Sequence, residues 1–472
     1  MKLFSKHHTL IAFAILTSAV SFAQKEAATA KHEFTVQQAI AYAQKNNSAV
    51  KNALIGIKLQ EETNQQITAS AFPHLNASLS TTMNPNIATQ VIPNFISPAT
   101  YQVLIDQGVK DGSGNPIHMP ADFGYISAQF GTKYSASAGV SLSQLLFDGQ
   151  VFVGLQARNT SMKFAKKSAE ITQEVITVNI YKIYYQLVVA KTQLELLDAN
   201  LSLLEKNLHD TKVLYANGFR EKLDLDKVSV QLANLQTEKT KVVNQISNGY
   251  YGLKVLMGMP VNDELVLTDK LTPDMIKADM LQADAYKYED RKEYQFAQLG
   301  KKMSEYNVRR YRLSQIPTIA LNSTYAKNAQ RNTWSFLNGN GKWFTISNVN
   351  VGVTIPVFNG LLTRSKISQS KLELQKTLND IASLERSIDN EVAVAKNNFV
   401  SAITRMDFQK QNMELATKVY EQTKKKYEMG TGSQIEINVA QNDLKAAQTN
   451  YTAALYDAVI ARIDYLKATG KL

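Results

Sequence analysis

A zinc site or an activated nucleophile needs histidines or cysteines brought together at ligand spacing, and this chain offers neither. Four histidines follow residue 23, His32, His74, His118 and His209, far apart in the sequence, and the 472 residues contain no cysteine. No Zn or Cys/His centre can be assembled from that set. Paired carboxylates such as Glu61-Glu62 sit on helical faces as solvated charges. There is no Walker loop, no Gly-x-Ser-x-Gly and no dinucleotide fingerprint. The chain is therefore expected to be no enzyme and to need no cofactor. One constellation does repeat: Asp224 follows Tyr215 by nine residues, Glu436 follows Tyr427 by nine, and each tyrosine opens a Tyr-x-x-Gly turn, ending at Gly218 or Gly430. What matters is which elements carry these two turns.

The N-terminus reads as an export signal. Lys2, Lys6, His7 and His8 precede an apolar run from Thr9 to Val20, followed by the small-residue site Ser21-Phe22-Ala23. At about 12 residues the run is short for a spanning helix, which needs about 20. Without cysteine neither disulfides nor a lipid-anchored cysteine is available. No later apolar run reaches 18 residues, so a membrane role would require a β-barrel. Formal net charge is +11, or +9 once Lys2 and Lys6 leave with the signal (11 − 2). The charge is dispersed beside Glu and Asp, with Lys424-Lys425-Lys426 as the one basic run of three, so nucleic acid is not an expected partner.

The same order of signals occurs twice. Asn47 to Pro73 and Arg291 to Pro317 both span 26 residues, Phe147 to Tyr215 spans 68 against 69 for Phe358 to Tyr427, and Tyr215 to Gly258 and Tyr427 to Gly470 both span 43. Such matching indicates tandem duplication. The expected organisation is a signal peptide (1–23), a first repeat (24–257), an inter-repeat linker (258–277) and a second repeat (278–472). After each Phe-Asx-Gly turn an apolar 3,4 spacing runs on, through Leu194, Leu197, Leu201, Leu204 and Leu208 in the first repeat and through Ile381, Ile388, Val392, Phe399 and Met406 in the second. About 65 helical residues would make a rod of roughly 100 Å.

Between the prolines and those turns the period drops to two. Leu75, Ala77 and Leu79, then Ala136, Ala138, Val140 and Leu142, alternate with small polar residues, as do Ile319 with Leu321 and Val349 with Val351, Val353 and Ile355. One aliphatic and one polar face suit a transmembrane barrel strand, with Tyr134, Tyr325, Trp343 and Phe344 read as strand-end aromatics. Residues 84–133 form a long excursion between the first two strands. Four strands cannot close a barrel, so copies must pool them: two, three or four copies give 8, 12 or 16 strands.

These landmarks resemble the TolC family of outer membrane factors over almost the whole mature chain. Phe34-Thr-Val-Gln-Gln-Ala-Ile-Ala-Tyr-Ala-Gln-Lys-Asn-Asn47 is similar to the family's opening helix, and Ser141-Leu-Ser-Gln-Leu-Leu-Phe-Asp-Gly149 to its strand-to-helix turn. Tyr427-Glu-Met-Gly-Thr-Gly-Ser-Gln-Ile-Glu436 resembles its periplasmic tip motif, with Tyr215 to Asp224 as the first-repeat copy. The resemblance implies an α+β membrane protein: duplicated long helical hairpins forming an α-barrel, and four amphipathic strands per chain closing a 12-stranded β-barrel as a homotrimer. It implies an exit duct of an efflux pump or type I secretion system, in the outer membrane with a periplasmic helical extension. Its partners would be outer membrane lipid, a periplasmic adaptor (membrane fusion) protein docking at Tyr215, Gly218, Tyr427 and Gly430, and an inner membrane transporter. It also implies that Asp224 and Glu436 line a pore gate. Here the pattern departs, because Val439 stands where a second acid is expected and Gly432 where an arginine is expected, while Arg220 holds the arginine's place in the first repeat. The alternative is a soluble periplasmic coiled-coil or adaptor protein, but adaptors carry one hairpin flanked by β-rich modules and this chain repeats strand pair and hairpin twice.

Overall fold

The computed structural model describes residues 31–277, 286–339 and 341–472. The expected signal peptide, 1–23, lies outside them, as does 278–285 at the start of the second repeat. In chain order, β1 (Lys31–Phe34), α1 (Val36–Asn46), α2 (Ser48–Ala69) and β2 (His74–Met83) lead into β3 (Thr89–Pro93), α3 (Ile96–Asp106) and β4 (Tyr125–Gln129). Then come β5 (Tyr134–Phe147), α4 (Gly149–Ala216), α5 (Lys222–Met257), β6 (Glu264–Leu267) and α6 (Pro273–Lys277). The chain continues through α7 (Lys292–Leu313), β7 (Thr318–Arg331), β8 (Phe344–Thr354), α8 (Leu362–Glu428) and α9 (Gln434–Ala468). It is an α+β chain, mostly helical. None of the described helices is long and apolar enough to cross a membrane.

All 10 prolines lie outside 121–259 and 357–472, so nothing removes a backbone donor from α4, α5, α8 or α9. Two compact units form. One comprises residues up to Leu54, Ser168–Lys292 and Arg386–Leu472; the other comprises Ile55–Lys167 and Glu293–Glu385. In the first unit Leu197 and Leu201 of α4 pack on Leu235 and Val242 of α5, and Phe399 of α8 stacks on Tyr465 of α9 at 5.6 Å. The expected apolar rows thus supply the seams of two hairpins in this unit, where Ile388, Val392 and Met406 are likewise buried, while Ile381 is buried in the other unit.

The hairpins end alike. The amide of Met259 donates to Lys254 O (2.8 Å) after Gly258 in the left-handed region (φ 70°), and the amide of Lys471 donates to Leu466 O (2.9 Å) after Gly470 (φ 71°). Just before each glycine a carbonyl is clasped by a side chain from the start of the same repeat, at the matched positions Asn47 and Arg291. Asn47 Nδ2 donates to Leu256 O at 2.7 Å, and Arg291 Nη1 to Ala468 O at 2.9 Å. Arg291 is buried and also meets Glu391 at 3.0 Å.

The 258–277 segment is bound into this unit. Its strand β6 pairs in parallel with β1, Lys31 opposite Glu264 through Phe34 opposite Leu267. Asp269 Oδ2 accepts from the amide of Val36 at 2.8 Å at the start of α1. The fully buried Tyr184 donates its hydroxyl to Phe34 O (2.8 Å) and accepts from the amide of Asp269 (3.2 Å). Burial pushes that hydroxyl up to about 12, so it stays a neutral donor.

In the second unit, α2 meets the start of α4 through Arg158 Nη1 donating to Thr68 Oγ1 (2.6 Å) and Ser161 Oγ donating to Asn64 Oδ1 (2.9 Å). Phe164 of α4 stacks on Phe296 of α7 at 4.1 Å. The four expected strands make one antiparallel sheet in the order β2-β5-β7-β8. The register largely separates the faces: Leu75 opposes Leu142, Leu321 opposes Val351 and Ile319 opposes Val353, while Asn76 opposes Ser141, which opposes Thr324, which opposes Asn348; Ser323, opposite Leu142 and Val349, and Gln144, opposite Leu321, are polar positions on the aliphatic face. Tyr325 is not at a strand end. It sits in the middle of β7 opposite Val140 and Ser347, on the aliphatic face, because β7 continues six residues beyond it to Arg331. The excursion at 84–133 is also more ordered than a plain loop, with β3 and β4 pairing from Thr89 opposite Gln129 and Tyr101 edge-on to Phe123 at 5.3 Å.

Candidate functional site

Both Tyr-x-x-Gly turns close the far end of a hairpin, and both do so by the same cap. Gly218 (φ 80°) donates to Tyr215 O at 3.0 Å while Phe219 donates to Leu214 O at 2.9 Å; Gly430 (φ 75°) donates to Tyr427 O at 3.0 Å while Thr431 donates to Lys426 O at 3.0 Å. This pair of bonds satisfies the last carbonyls of α4 and α8 and needs a residue in the left-handed region, which glycine adopts without a Cβ penalty.

The two turns meet in space through residues 207 apart in the sequence. Arg220 Nη2 donates to the Tyr427 hydroxyl at 2.9 Å, and its guanidinium lies 5.5 Å from the centre of the Tyr427 ring. Arg220 Nη1 is 3.7 Å from Asp224 Oδ2, one helical turn on. The Tyr427 hydroxyl donates in turn to Gln434 Oε1, and Gln434 Nε2 donates to Asn438 Oδ1 at 3.0 Å. The result is a chain of polar contacts, Asp224 to Arg220 to Tyr427 to Gln434, that ties the first tip to the second. Tyr215 does not join it and is 40 % exposed.

Glu436 is held differently from its counterpart Asp224. Its amide donates to Ser433 Oγ (3.2 Å) and its carboxylate accepts from the Ser433 amide (3.4 Å), a reciprocal cap at the start of α9. The Ser-x-x-Glu spacing is the sequence signal for that cap, and Gln434 is a member of the network that sequence reading did not single out. Around both turns large apolar side chains stand in the open: Phe219 is 77 % exposed, Met429 71 % and Ile435 70 %. Among the described residues no group of three or more His, Cys, Asp or Glu could hold a metal ion.

The second half of the chain, residues 289–471, matches the family model described as outer membrane efflux protein. The chain is similar to the outer membrane protein TolC of Vibrio cholerae serotype O1, 21 % identical over 71 % of this chain and 77 % of that protein. It is also similar to the outer membrane efflux protein BepC of Brucella suis, 22 % identical over 93 % of this chain and 86 % of the relative. Two solved structures share the fold. The outer membrane protein VceC of Vibrio cholerae has a TM-score of 0.68 at 14 % identity, over 92 % of this chain and 96 % of that one. The Campylobacter jejuni CmeC outer membrane channel has a TM-score of 0.70 at 15 % identity, over 92 % and 85 %. These likenesses bear out the resemblance to TolC-like outer membrane factors drawn from the sequence.

Proposed function

We propose that this TolC-like chain is a subunit of a trimeric outer membrane channel, the passive exit duct of a tripartite efflux pump or type I secretion system. The observation that carries the reading is the four-stranded sheet. Its aliphatic face is bare in the single chain, with Leu79 83 % and Val349 74 % exposed, and its edge strands β2 and β8 each have one partner only among the described strands. An apolar face of that kind suits lipid, and open sheet edges in lipid must be closed by further strands. Three copies give 12 strands, with the helical hairpins as the periplasmic part. The rival soluble coiled-coil reading would leave that face without cover. Mass measurement after cross-linking in mild detergent is expected to give three subunits; a soluble monomer without detergent would sink the assignment.

In this reading the hairpin turns at Gly218 and Gly430 dock a periplasmic adaptor, which joins an inner membrane transporter, and the exposed Phe219, Met429 and Ile435 favour a partially apolar partner surface. Asp224, Glu436 and Arg220 form the gate. Threefold assembly would gather six carboxylates with the Arg220 guanidiniums between them. Asp224→Asn with Glu436→Gln removes the charges and keeps the helix cap, since glutamine also serves at that cap position. The double variant is expected to lose cation selectivity and divalent block in planar bilayers, because Arg220 and Lys222 are left uncompensated. Unchanged selectivity would place the constriction elsewhere.

A further inference from the structure

The far end of the sheet carries a feature the channel reading does not use. All four strands join helices at one end, through Ala69 to His74, Phe147 to Gly149, Leu313 to Thr318 and Thr354 to Leu362, and end in loops at the other. At the loop end the aliphatic face changes character. Along β7 it runs from Ile319 and Leu321 to Tyr325, Lys327, Ala329 and Arg331, with Arg331 opposite Tyr134. Arg331 lies ten residues beyond Leu321, about 33 Å along the strand, which at a tilt of about 45° is roughly 23 Å of height. That is close to the roughly 25 Å of an apolar band, so Arg331 falls at the headgroup level rather than within hydrocarbon.

The loop after β7 folds back onto this face and builds a surface there. Phe336 packs on Ala136 and Ala329 beside Tyr134. Trp334 and Trp343 flank Phe336, each with ring centres 6.2 Å away. The Arg331 guanidinium lies over the Phe336 ring at 5.0 Å, and its Nη1 donates to Ser335 O and to Ser335 Oγ at 3.1 Å. A guanidinium has five donors, of which Nη1 supplies these bonds, while Nη2 and Nε lie beside Gly341, whose lack of a side chain leaves room there. Lys133 and Lys342 are exposed around it.

Among the described residues no carboxylate is ion-paired with these cations. The sequence has no Asp or Glu from Tyr306 to Leu372 or from Phe123 to Phe147. The acids of the neighbouring excursion bond within their own turns, Asp106 to Gln102, Asp111 to Ser113 and Asn115, and Asp122 to Gly124. Basic and aromatic side chains at the rim of an apolar band, without acids, complement an anionic phosphate above acyl chains.

We infer that the Arg331, Lys342 and Lys133 rim with the Trp334-Phe336-Trp343 cluster binds the phosphate of a lipid headgroup. The inference rests on the sheet being a lipid-facing wall. The chain's two tryptophans are Trp334 and Trp343, so their emission reports on this place alone. Full-length protein is inserted into zwitterionic phospholipid vesicles containing graded fractions of an anionic phospholipid. The emission is expected to shift saturably with the anionic fraction, and more weakly in high salt. Arg331→Gln with Lys342→Gln should raise the half-saturating fraction at least fivefold, since each cation near an anionic surface contributes about a factor of five. Lys342→Gln alone, at an exposed loop position, should show the same direction and covers the case in which the double variant does not insert. Inorganic phosphate at equal concentration should leave the emission unchanged. An emission indifferent to anionic lipid in inserted protein, or a shift reproduced by free phosphate, would overturn the inference while leaving the channel intact. Failure to insert into any vesicle would overturn the channel reading and this one with it.

Discussion

Export is expected to be abolished when Gly218 and Gly430 are both replaced by valine, with the channel still assembled in the membrane. A Cβ added at either position meets nothing within 4 Å, so no neighbour is displaced. The cost is backbone strain alone. Holding an L-residue at φ near 80° costs about 1–2 kcal/mol, and more for a β-branched side chain. That is too little to unfold two long hairpins but enough to make the final turn of each give way, since the caps at Tyr215 and Tyr427 depend on it. In a trimer six turns would be affected at the face proposed to meet the adaptor. The check is substrate export in cells alongside trimer recovery from the membrane fraction; normal export by the double variant would remove the tip assignment.

A larger loss of stability is expected from the two glycines at the opposite ends of the same hairpins. Gly258 and Gly470 have the same left-handed backbone as the tip glycines but no room. A Cβ at Gly258 would lie 2.5 Å from Asn46 O, and one at Gly470 would lie 2.7 Å from Asp290 O. Backbone cannot swing aside as a side-chain end can. Strain of about 1–2 kcal/mol then adds to overpacking of about 1–3 kcal/mol, so each alanine substitution should cost roughly 3 kcal/mol. Gly218→Ala and Gly430→Ala form the matched control, since they share the φ and the cap and lack the clash. Chemical denaturation of the four single variants should separate them into two mild and two severe cases. Equal midpoints for all four would mean that close approach at Asn46 and Asp290 contributes nothing.

Much of this arrangement was legible in the sequence because the periodicities were long and unbroken. The row from Leu194 to Leu208 and the alternation from Ala136 to Leu142 each repeat often enough to fix both the element and its apolar face. Duplication helped further: matched spacings named Gly258 and Gly470 as equivalent before their caps were seen. Short and distant features were not legible. The four residues of β1 and of β6 are too few to show a period, and their partnership depends on a contact across more than 230 residues. Within the site, the two turns and their acids were found by repetition. The bond from Arg220 to Tyr427 was not, because no local pattern encodes a contact between the two halves. Glu436 was singled out for its charge, whereas its nearest bonded partner, Ser433, reflects helix capping. Tyr325 was misplaced because an aromatic near turn residues looks like a strand end when the strand's true length is hidden.

The parallel pairing of β1 with β6 has a consequence for how the protein is made. A chain emerging N-terminus first presents Lys31–Phe34 and the start of α1 long before Glu264–Leu267 and Asp269 exist to receive them. Closing a loop of that length is slow, and the contacts it brings are won late. While the residues between Phe34 and Leu267 emerge, close to half of the chain, the first strand is an unpaired edge and Val36 lacks its Asp269 acceptor, with apolar strands β2 and β5 already out. Docking of β1 and of the start of α1 therefore waits for β6 and Asp269, which follow the whole first hairpin along the chain.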